Sequence, residues 1–503
     1  MSVSQTLLTF MFADRFFTPP ATRIRSWIGC LLALGIVNSA AAAGEPLLQI
    51  ATIHADVTPR PGDVACVGFM PKISSIEHPL ELKGLLVRKG GGDRAETFVI
   101  AAVDYCGLCN TSYDLSCSRI AEAVGTTPDR VALQSLHQHT APVLDLDGAR
   151  LLYAGEPEKW KAHAAFVEGT ANRAAKAAKE AVANLRPVTR IIASQAKVER
   201  VASNRRIVQP DGSIVFRGSG VTDPRLQEAP EGLIDPWVRT LSILDGESII
   251  AQIHYYAMHP QSFYGDERIS YDVPGIARQR LQEETGVFQI YFTGCGGNIA
   301  MGKYNDATRP ARDALSDRLY QALRASTSVV DPKSNSIPKP LSPDAPHVVQ
   351  DVRVEKLALA DISWKVVPVQ FLPREDGEFH PERARDLMRP EQTFGIRLKA
   401  CMAKQWFDRL RAGHHVGISR FRIGSVQLIH LPGEPFVEFQ LFAQQRSPES
   451  FVCVAGYGEC GIWYYGPDVI FADRGGYEQT WSFAEPCWDL VEGAIKELLS
   501  NDR

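Results

Sequence analysis

Short apolar runs bounded by turn residues predict strands, and longer runs with apolar side chains three or four positions apart predict helices. The predicted strands cover residues 47–57, 97–103, 131–136, 188–198, 248–258, 287–293, 421–431 and 451–455. The predicted helices cover residues 113–124, 158–185, 275–284, 435–445 and 488–500. Strands and helices alternate without a strict βαβ rhythm, which predicts a mixed α/β (α+β) layered domain.

The N-terminal pattern is that of a targeting segment. Arg23 and Arg25 precede an apolar segment at 27–37, and small residues follow as far as Ala43. This order predicts a signal peptide over residues 1–43, cleaved near Ala42 or Ala43, and a secreted or periplasmic protein. The apolar segment is short for a membrane span, so we expect no stable span after cleavage, and an uncleaved N-terminal anchor is the alternative. Residues 44–503 then form a single catalytic domain, with a Ser-, Pro-, Lys- and Asp-rich linker or excursion at 326–348.

Charge and cysteine content narrow the class of protein. The formal net charge is −4 and the chain has no long basic run, which argues against nucleic-acid binding. After signal cleavage nine of the ten cysteines remain, and an odd number leaves at least one thiol unpaired within the chain. Cys106 and Cys109 have zinc or redox spacing, but no second Cys-x-x-Cys accompanies them. We expect structural thiols or a disulfide there.

Polar residues that carry chemistry follow the apolar runs. His137 and His139 follow the run at 131–136, and strand alternation places both on one side. His259 follows the run at 248–258, and Glu434 follows the run at 421–431. Two histidines and a carboxylate with one open position form a common catalytic zinc set. The Tyr464–Tyr465 loop is a fourth segment with a candidate ligand. Taken singly, His259 could simply end a strand, Glu434 could be a helix N-terminal acid facing the dipole, and Tyr465 could belong to the core.

Several segments together resemble the catalytic domain of the neutral/alkaline (non-lysosomal) ceramidases and their exported bacterial homologues. The matching segments, in the family's order, are His-Gln-His-Thr-Ala-Pro at 137–142, Ser-Asn-Arg-Arg at 203–206, Ala-Met-His-Pro at 257–260, Ile-Ser-Tyr-Asp-Val-Pro-Gly at 269–275, Leu-Pro-Gly-Glu at 431–434, and the Gly- and Tyr-rich run at 456–478. They extend over most of the chain after residue 137.

The resemblance implies a zinc amidohydrolase. Its metal ligands would be His137, His259, Glu434 and Tyr465, with Tyr465 preferred to Tyr464 because its distance along the chain to Tyr477 matches the family's spacing. His139 would act as base and then acid, and Tyr477 and Arg205 would hold the substrate carbonyl oxygen. Asp272 would orient a histidine or bind substrate. Further substrate-binding positions would be Asn204, Gly294, Cys295, Gly296 and Asn298.

Two departures from the family's pattern weaken the case for ceramide as the substrate. Gly294 stands where the family has a serine implicated in ceramide cleavage, and Cys295, one position on, is an alternative nucleophile. We also expect no C-terminal immunoglobulin-like domain. The sequence therefore predicts an exported zinc-dependent hydrolase of a small-molecule or lipid-like amide. The alternatives are an esterase, lactonase or carbohydrate-directed hydrolase on the same scaffold, or a non-catalytic zinc-containing binding protein.

Overall fold

The computed structural model describes residues 47–63, 66–67, 72–263, 267–328, 330 and 347–500. The predicted signal peptide at 1–43 and most of the predicted excursion at 326–348 lie outside these residues. The two ends of that excursion are regular structure, because residues 326 and 327 end a helix and residues 347 and 348 begin a strand.

The described chain is a mixed α/β fold, as predicted. The longer strands are Leu48–Asp56 (β1), Glu81–Lys89 (β2), Glu96–Val103 (β3), Val131–Ser135 (β4), Arg190–Lys197 (β5), Trp237–Asp245 (β6), Ser248–Tyr256 (β7), Phe288–Thr293 (β8), His347–Arg353 (β9), Ile362–Val369 (β10), Val416–Ile423 (β11), Val426–His430 (β12) and Phe451–Ala455 (β13). The longer helices are Thr111–Val124 (α1), Leu146–Leu152 (α2), Pro157–Ala181 (α3), Asp272–Thr285 (α4), Arg309–Thr327 (α5), Phe394–Arg411 (α6), Val437–Arg446 (α7) and Trp488–Leu499 (α8). Short strands at Ser203–Asn204, Arg206–Val208, Ile214–Phe216, Ile299–Ala300, Glu434–Pro435 and Tyr464–Tyr465 lie around the site described below.

The longer strands form three sheets with the orders β4–β3–β2–β1, β8–β7–β6–β5–β9 and β10–β11–β12–β13. Most neighbours are antiparallel, but each sheet has one parallel pair at an edge: β3 with β4, β7 with β8, and β12 with β13. The carboxyl ends of parallel strands lie at the same edge of a sheet, where sites are commonly built. His137, His259 and Glu434 follow three of these ends, those of β4, β7 and β12.

The inner faces of the three sheets meet in one apolar core that includes Ile50, Ile100, Ile253 and Leu428. Helices cover the outer faces, with α1 and α3 on the first sheet, α4 and α5 on the second, and α7 and α8 on the third. The long helix α3 illustrates how a helix comes to cover a sheet. Its buried residues recur every three or four positions from Val167 on, which gives it one apolar face.

One predicted element is wrong in detail. The apolar run at 421–431 is not one strand, because Gly424 has a φ of +57° and turns the chain between β11 and β12.

The eight cysteines from Cys106 to Cys487 are buried free thiols, so Cys106 and Cys109 do not form a disulfide. Within the described residues, no helix has the length and apolar character needed to cross a bilayer.

Candidate active site

Three of the four predicted metal ligands converge at the strand ends. His137 Nε2 lies 3.1 Å from Glu434 Oε2, and His259 Nδ1 lies 3.5 Å from the same oxygen. All three side chains are at most 1% exposed. Three segments far apart in the chain therefore bring two imidazoles and one carboxylate together in a water-poor interior.

The backbone around His137 fixes the orientation of its ring. His137 adopts a φ of +69°, a left-handed conformation that is unfavourable for a non-glycine residue and is found at functional sites. Its Nδ1 lies 2.5 Å from the carbonyl oxygen of Cys106, which can only accept a hydrogen bond. Nδ1 therefore carries the proton, and Nε2 is left with a lone pair directed at Glu434, as in metal-binding histidines.

The residues present fit a zinc ion. Among the described residues, His137 Nε2 and both carboxylate oxygens of Glu434 are buried without a hydrogen-bond partner. Burying such atoms costs free energy unless an ion or another ligand binds them. Four ligands at zinc's usual bond lengths lie about 3.3 Å apart, close to the separations of 3.1 and 3.5 Å found here. The neighbouring group of Cys106, His137 and His139 fits less well, because burial raises the pKa of the Cys106 thiol well above its usual range.

His139 lies beside the three-residue cluster rather than within it. Its Nε2 is 2.8 Å from Nε2 of His259, and the side chain lines a cavity. Burial lowers the pKa of His139 well below its usual value, and the nearby charge of Arg205 lowers it further. His139 is therefore a neutral base at the boundary between the cluster and the cavity.

The cavity has a volume of about 320 Å³. It is lined by His139, Arg205, Phe216, Gly218, Ser219, Gly220, Gln261, Tyr464 and Tyr477. Arg205 is 2% exposed and donates hydrogen bonds to the Tyr464 hydroxyl at 2.9 Å and to Ser219 Oγ at 3.2 Å. The Tyr477 ring packs on Phe216 with centroids 5.0 Å apart. The predicted residues Arg205, Tyr477 and His139 thus share one pocket.

The two adjacent tyrosines point in different directions. Tyr464 and Tyr465 form a short strand parallel to Glu434–Pro435, so their side chains lie on opposite faces. The Tyr465 hydroxyl donates to the Pro432 carbonyl at 2.8 Å, and its ring packs in the core. Tyr464 is the tyrosine that lines the cavity, whereas Tyr465, the predicted ligand, packs in the core.

Asp272 does not reach the cavity or a histidine of the cluster. It begins α4 with a φ of +49°, and its carboxylate accepts hydrogen bonds from the backbone N–H and the hydroxyl of Ser262 and from the Val273 N–H. Ser262 follows His259 by three residues. Asp272 therefore fixes the loop that carries His259 and Gln261, rather than the reacting groups themselves.

The predicted substrate-binding positions are spread around the cluster. Gly294 packs against Gln440, and Cys295 is fully buried with its pKa raised by burial, so neither lines the cavity and Cys295 is not an activated nucleophile. Gly296 lies against His259 and Tyr457. Asn204 and Asn298 line a separate, larger cavity of about 480 Å³.

Four polar residues of the site were not selected from the sequence as site residues. Ser219 and Gln261 line the cavity and hydrogen-bond each other at 2.7 Å, Tyr464 lines it as described, and Tyr457 contacts the cluster. Gln261 lies two residues from His259 and could have been selected by proximity. Ser219 lies in a Gly-Ser-Gly segment with no distinguishing pattern.

Comparison with solved structures then relates this geometry to known proteins. The neutral ceramidase from Pseudomonas aeruginosa matches 90% of this chain and 73% of its own, with a TM-score of 0.60 and 15% identity. A ceramidase complexed with C2 matches 90% and 74%, with a TM-score of 0.61 and 15% identity. The chain has the neutral ceramidase fold. No protein-family model and no curated protein matches it. The ceramidase-like fold expected from the motifs is confirmed, and the roles of individual residues rest on their geometry.

Proposed function

We propose that this protein is an exported zinc-dependent hydrolase that cleaves an amide bond of a small-molecule or lipid-like substrate. The observation that carries the proposal is the buried set His137, His259 and Glu434, next to a neutral His139 that faces a cavity. A structural zinc site has four protein ligands and no need of a cavity or a second base, so this arrangement favours catalysis over simple zinc binding. The ceramidase fold is consistent with a lipid-amide substrate.

His137, His259 and Glu434 would hold the zinc ion, and we take Tyr464, which lines the cavity with its ring 6.4 Å from that of His259, as the candidate fourth ligand. When bound, zinc acts as a Lewis acid and lowers the pKa of a coordinated water toward about 7. The remaining steps belong to the protein. His139 is neutral because of its burial, so its imidazole can accept a proton from the attacking water and return it to the leaving nitrogen.

Arg205 and Tyr477 would bind the substrate carbonyl oxygen as negative charge develops on it. Arg205 donates its hydrogen bonds to neutral acceptors rather than to a carboxylate, and its guanidinium lines the cavity. A fixed cation in a site of low polarity stabilises a developing oxyanion more than water does, because it needs no reorganisation. The same geometry serves an ester, which therefore belongs in the substrate test.

The test compares two variants that should separate metal binding from proton transfer. Wild type, Glu434→Ala and His139→Ala proteins are assayed on N-acyl amides of increasing chain length and on matching esters, with zinc content measured in each. We expect Glu434→Ala to lose zinc and activity together. His139→Ala should keep zinc and lose activity about 10²- to 10⁴-fold.

Two results would contradict the proposal. Full hydrolase activity with zinc retained in Glu434→Ala would remove Glu434 from the site. Zinc bound to a wild type that hydrolyses neither the amides nor the esters would leave a zinc-containing binding protein. Export is tested separately by the N-terminal sequence of the mature protein, which should begin near residue 43 or 44.

A further inference from the structure

Tyr457 lies where the chain segments carrying the predicted ligands meet. Its backbone N–H donates to the carbonyl of Gly433 at 2.7 Å, next to Glu434. Its backbone carbonyl accepts from the N–H of Ser135 at 2.7 Å, two residues before His137. The main chain of this one residue therefore joins the end of β4 to the loop that follows β12.

The side chain of Tyr457 contacts both histidines of the cluster. Its ring stacks on the His137 imidazole, with centroids 4.4 Å apart and planes 23° from parallel. Its hydroxyl lies 3.5 Å from Nδ1 of His259, the nitrogen that faces Glu434. The residue is fully buried, so water does not replace these contacts when they are lost.

The chain accommodates Tyr457 at a conformational cost. Its φ is +64°, a left-handed conformation that is unfavourable for an aromatic residue. A Cβ atom at Gly296 would lie 2.9 Å from the Tyr457 hydroxyl, so a glycine at that position provides the room. Such strain persists only where surrounding contacts enforce it, and it concentrates at functional sites.

We propose that Tyr457 is a positioning residue that holds the two histidines in their metal-binding orientation, and this inference rests on the proposed zinc site. The hydrogen bond from His137 Nδ1 to Cys106 fixes one edge of that ring, and stacking on Tyr457 fixes its plane. Together they direct Nε2 at Glu434. The Tyr457 hydroxyl limits rotation of His259 in the same way.

The first test measures zinc affinity by competition with a chelating indicator dye. Supporting residues of metal ligands are typically worth 10- to 100-fold in affinity. We expect about 10-fold weaker binding in Tyr457→Phe, which loses the hydroxyl alone, and a larger loss in Tyr457→Leu, which also loses the stacked ring. Tyr291→Phe is the matched control, because it deletes a buried hydroxyl within the apolar core and should leave affinity unchanged.

The second test needs neither zinc nor substrate. In a crystal structure of metal-free Tyr457→Leu, we expect the His137 ring to rotate so that Nε2 no longer faces Glu434. Wild-type zinc affinity in both Tyr457 variants, or an unchanged His137 ring in the metal-free variant, would overturn the inference. Absence of zinc binding in wild type would instead defeat the proposed function, and the crystal structure would still decide the role of Tyr457.

Discussion

Arg206 and Glu478 form a buried ion pair that connects two walls of the cavity. Arg206 Nη1 donates to Glu478 Oε2 at 2.7 Å, and Arg206 Nη2 donates to Asp473. The residues immediately before them in the chain, Arg205 and Tyr477, line the cavity. The Tyr477 N–H also bonds Glu478 Oε2 at 3.2 Å. We predict that the pair fixes the distance between Arg205 and Tyr477.

The perturbation is Arg206→Met, which keeps the bulk of the side chain and removes its charge. The Glu478 side chain is fully buried and that of Arg206 is 9% exposed, so the variant leaves a buried carboxylate without its cation. Breaking such a pair costs about 3–5 kcal/mol. We expect a value near the lower end, about 3 kcal/mol, because Glu478 keeps its bond from Tyr477 and Asp473 is partly exposed.

The assay is urea unfolding together with turnover of whichever amide or ester proves to be a substrate. Misplacement of a positioning group by about 1 Å can cost about 10²-fold in rate. Adding Glu478→Gln to Arg206→Met should restore part of the stability, because the unpaired charge is removed. The control is Arg474→Met, whose pair with Asp211 joins the same two segments in solvent and should be worth less than about 1 kcal/mol. A loss below about 1 kcal/mol in Arg206→Met, with normal turnover, would show that the ion pair does not position Arg205 and Tyr477.

Three further predictions concern other parts of the molecule. Burial raises the pKa of Asp145 to about 7 from its ordinary 3.8. Its contribution to stability is therefore greatest below about pH 4 and is lost as the pH rises through 7. In urea unfolding at a series of pH values, Asp145→Asn should flatten this pH dependence, whose slope is at most about 1.4 kcal/mol per pH unit. Tyr464→Phe should weaken zinc binding measured by dye competition because Tyr464 lines the cavity beside the cluster, whereas weakening in Tyr465→Phe alone would identify Tyr465 as the ligand, as the family's spacing predicts. Gly302→Ala should lower the melting temperature, because the added Cβ would lie 1.8 Å from the carbonyl oxygen of Gly218 in the cavity wall. The control is Gly493→Ala in α8, whose Cβ would meet no atom within 4 Å and which should be neutral or stabilising.

The position of each ligand at the end of a strand was predictable because each one follows an apolar run. An apolar run that ends in His137 or His259 indicates a buried strand whose next residues lie at a sheet edge. Sequence alone does not show that three sheets present those edges to one another, since that depends on β4, β7 and β12 packing around a shared core. The family's motif order supplied this missing step for His137, His259 and Glu434.

The choice between Tyr464 and Tyr465 depended on a detail that spacing does not encode. In extended chain a shift of one residue moves a side chain to the opposite face. Trp463 has a φ of +58° and redirects the chain immediately before this pair. Counting residues back from Tyr477 across an irregular loop therefore had no fixed register to rely on.

The position of Asp272 also depends on a detail that its sequence neighbourhood does not encode. An acidic residue close to a predicted histidine ligand suggests a catalytic or orienting carboxylate, but the same residue can serve the start of a helix. Here the carboxylate is taken up by the Ser262 and Val273 N–H groups. Only the structure shows that those donors lie on the loop after His259 and at the first turn of α4.

Elemental analysis of the purified mature protein tests whether His137, His259 and Glu434 bind zinc. We predict about one zinc per chain in wild type and its loss in His259→Ala. His254→Ala removes a buried histidine that is bonded to Thr240 and Gln289 and lies outside the cluster, and this control should keep the metal. A folded wild type without metal, or a His259→Ala protein that keeps a full equivalent, would contradict the account.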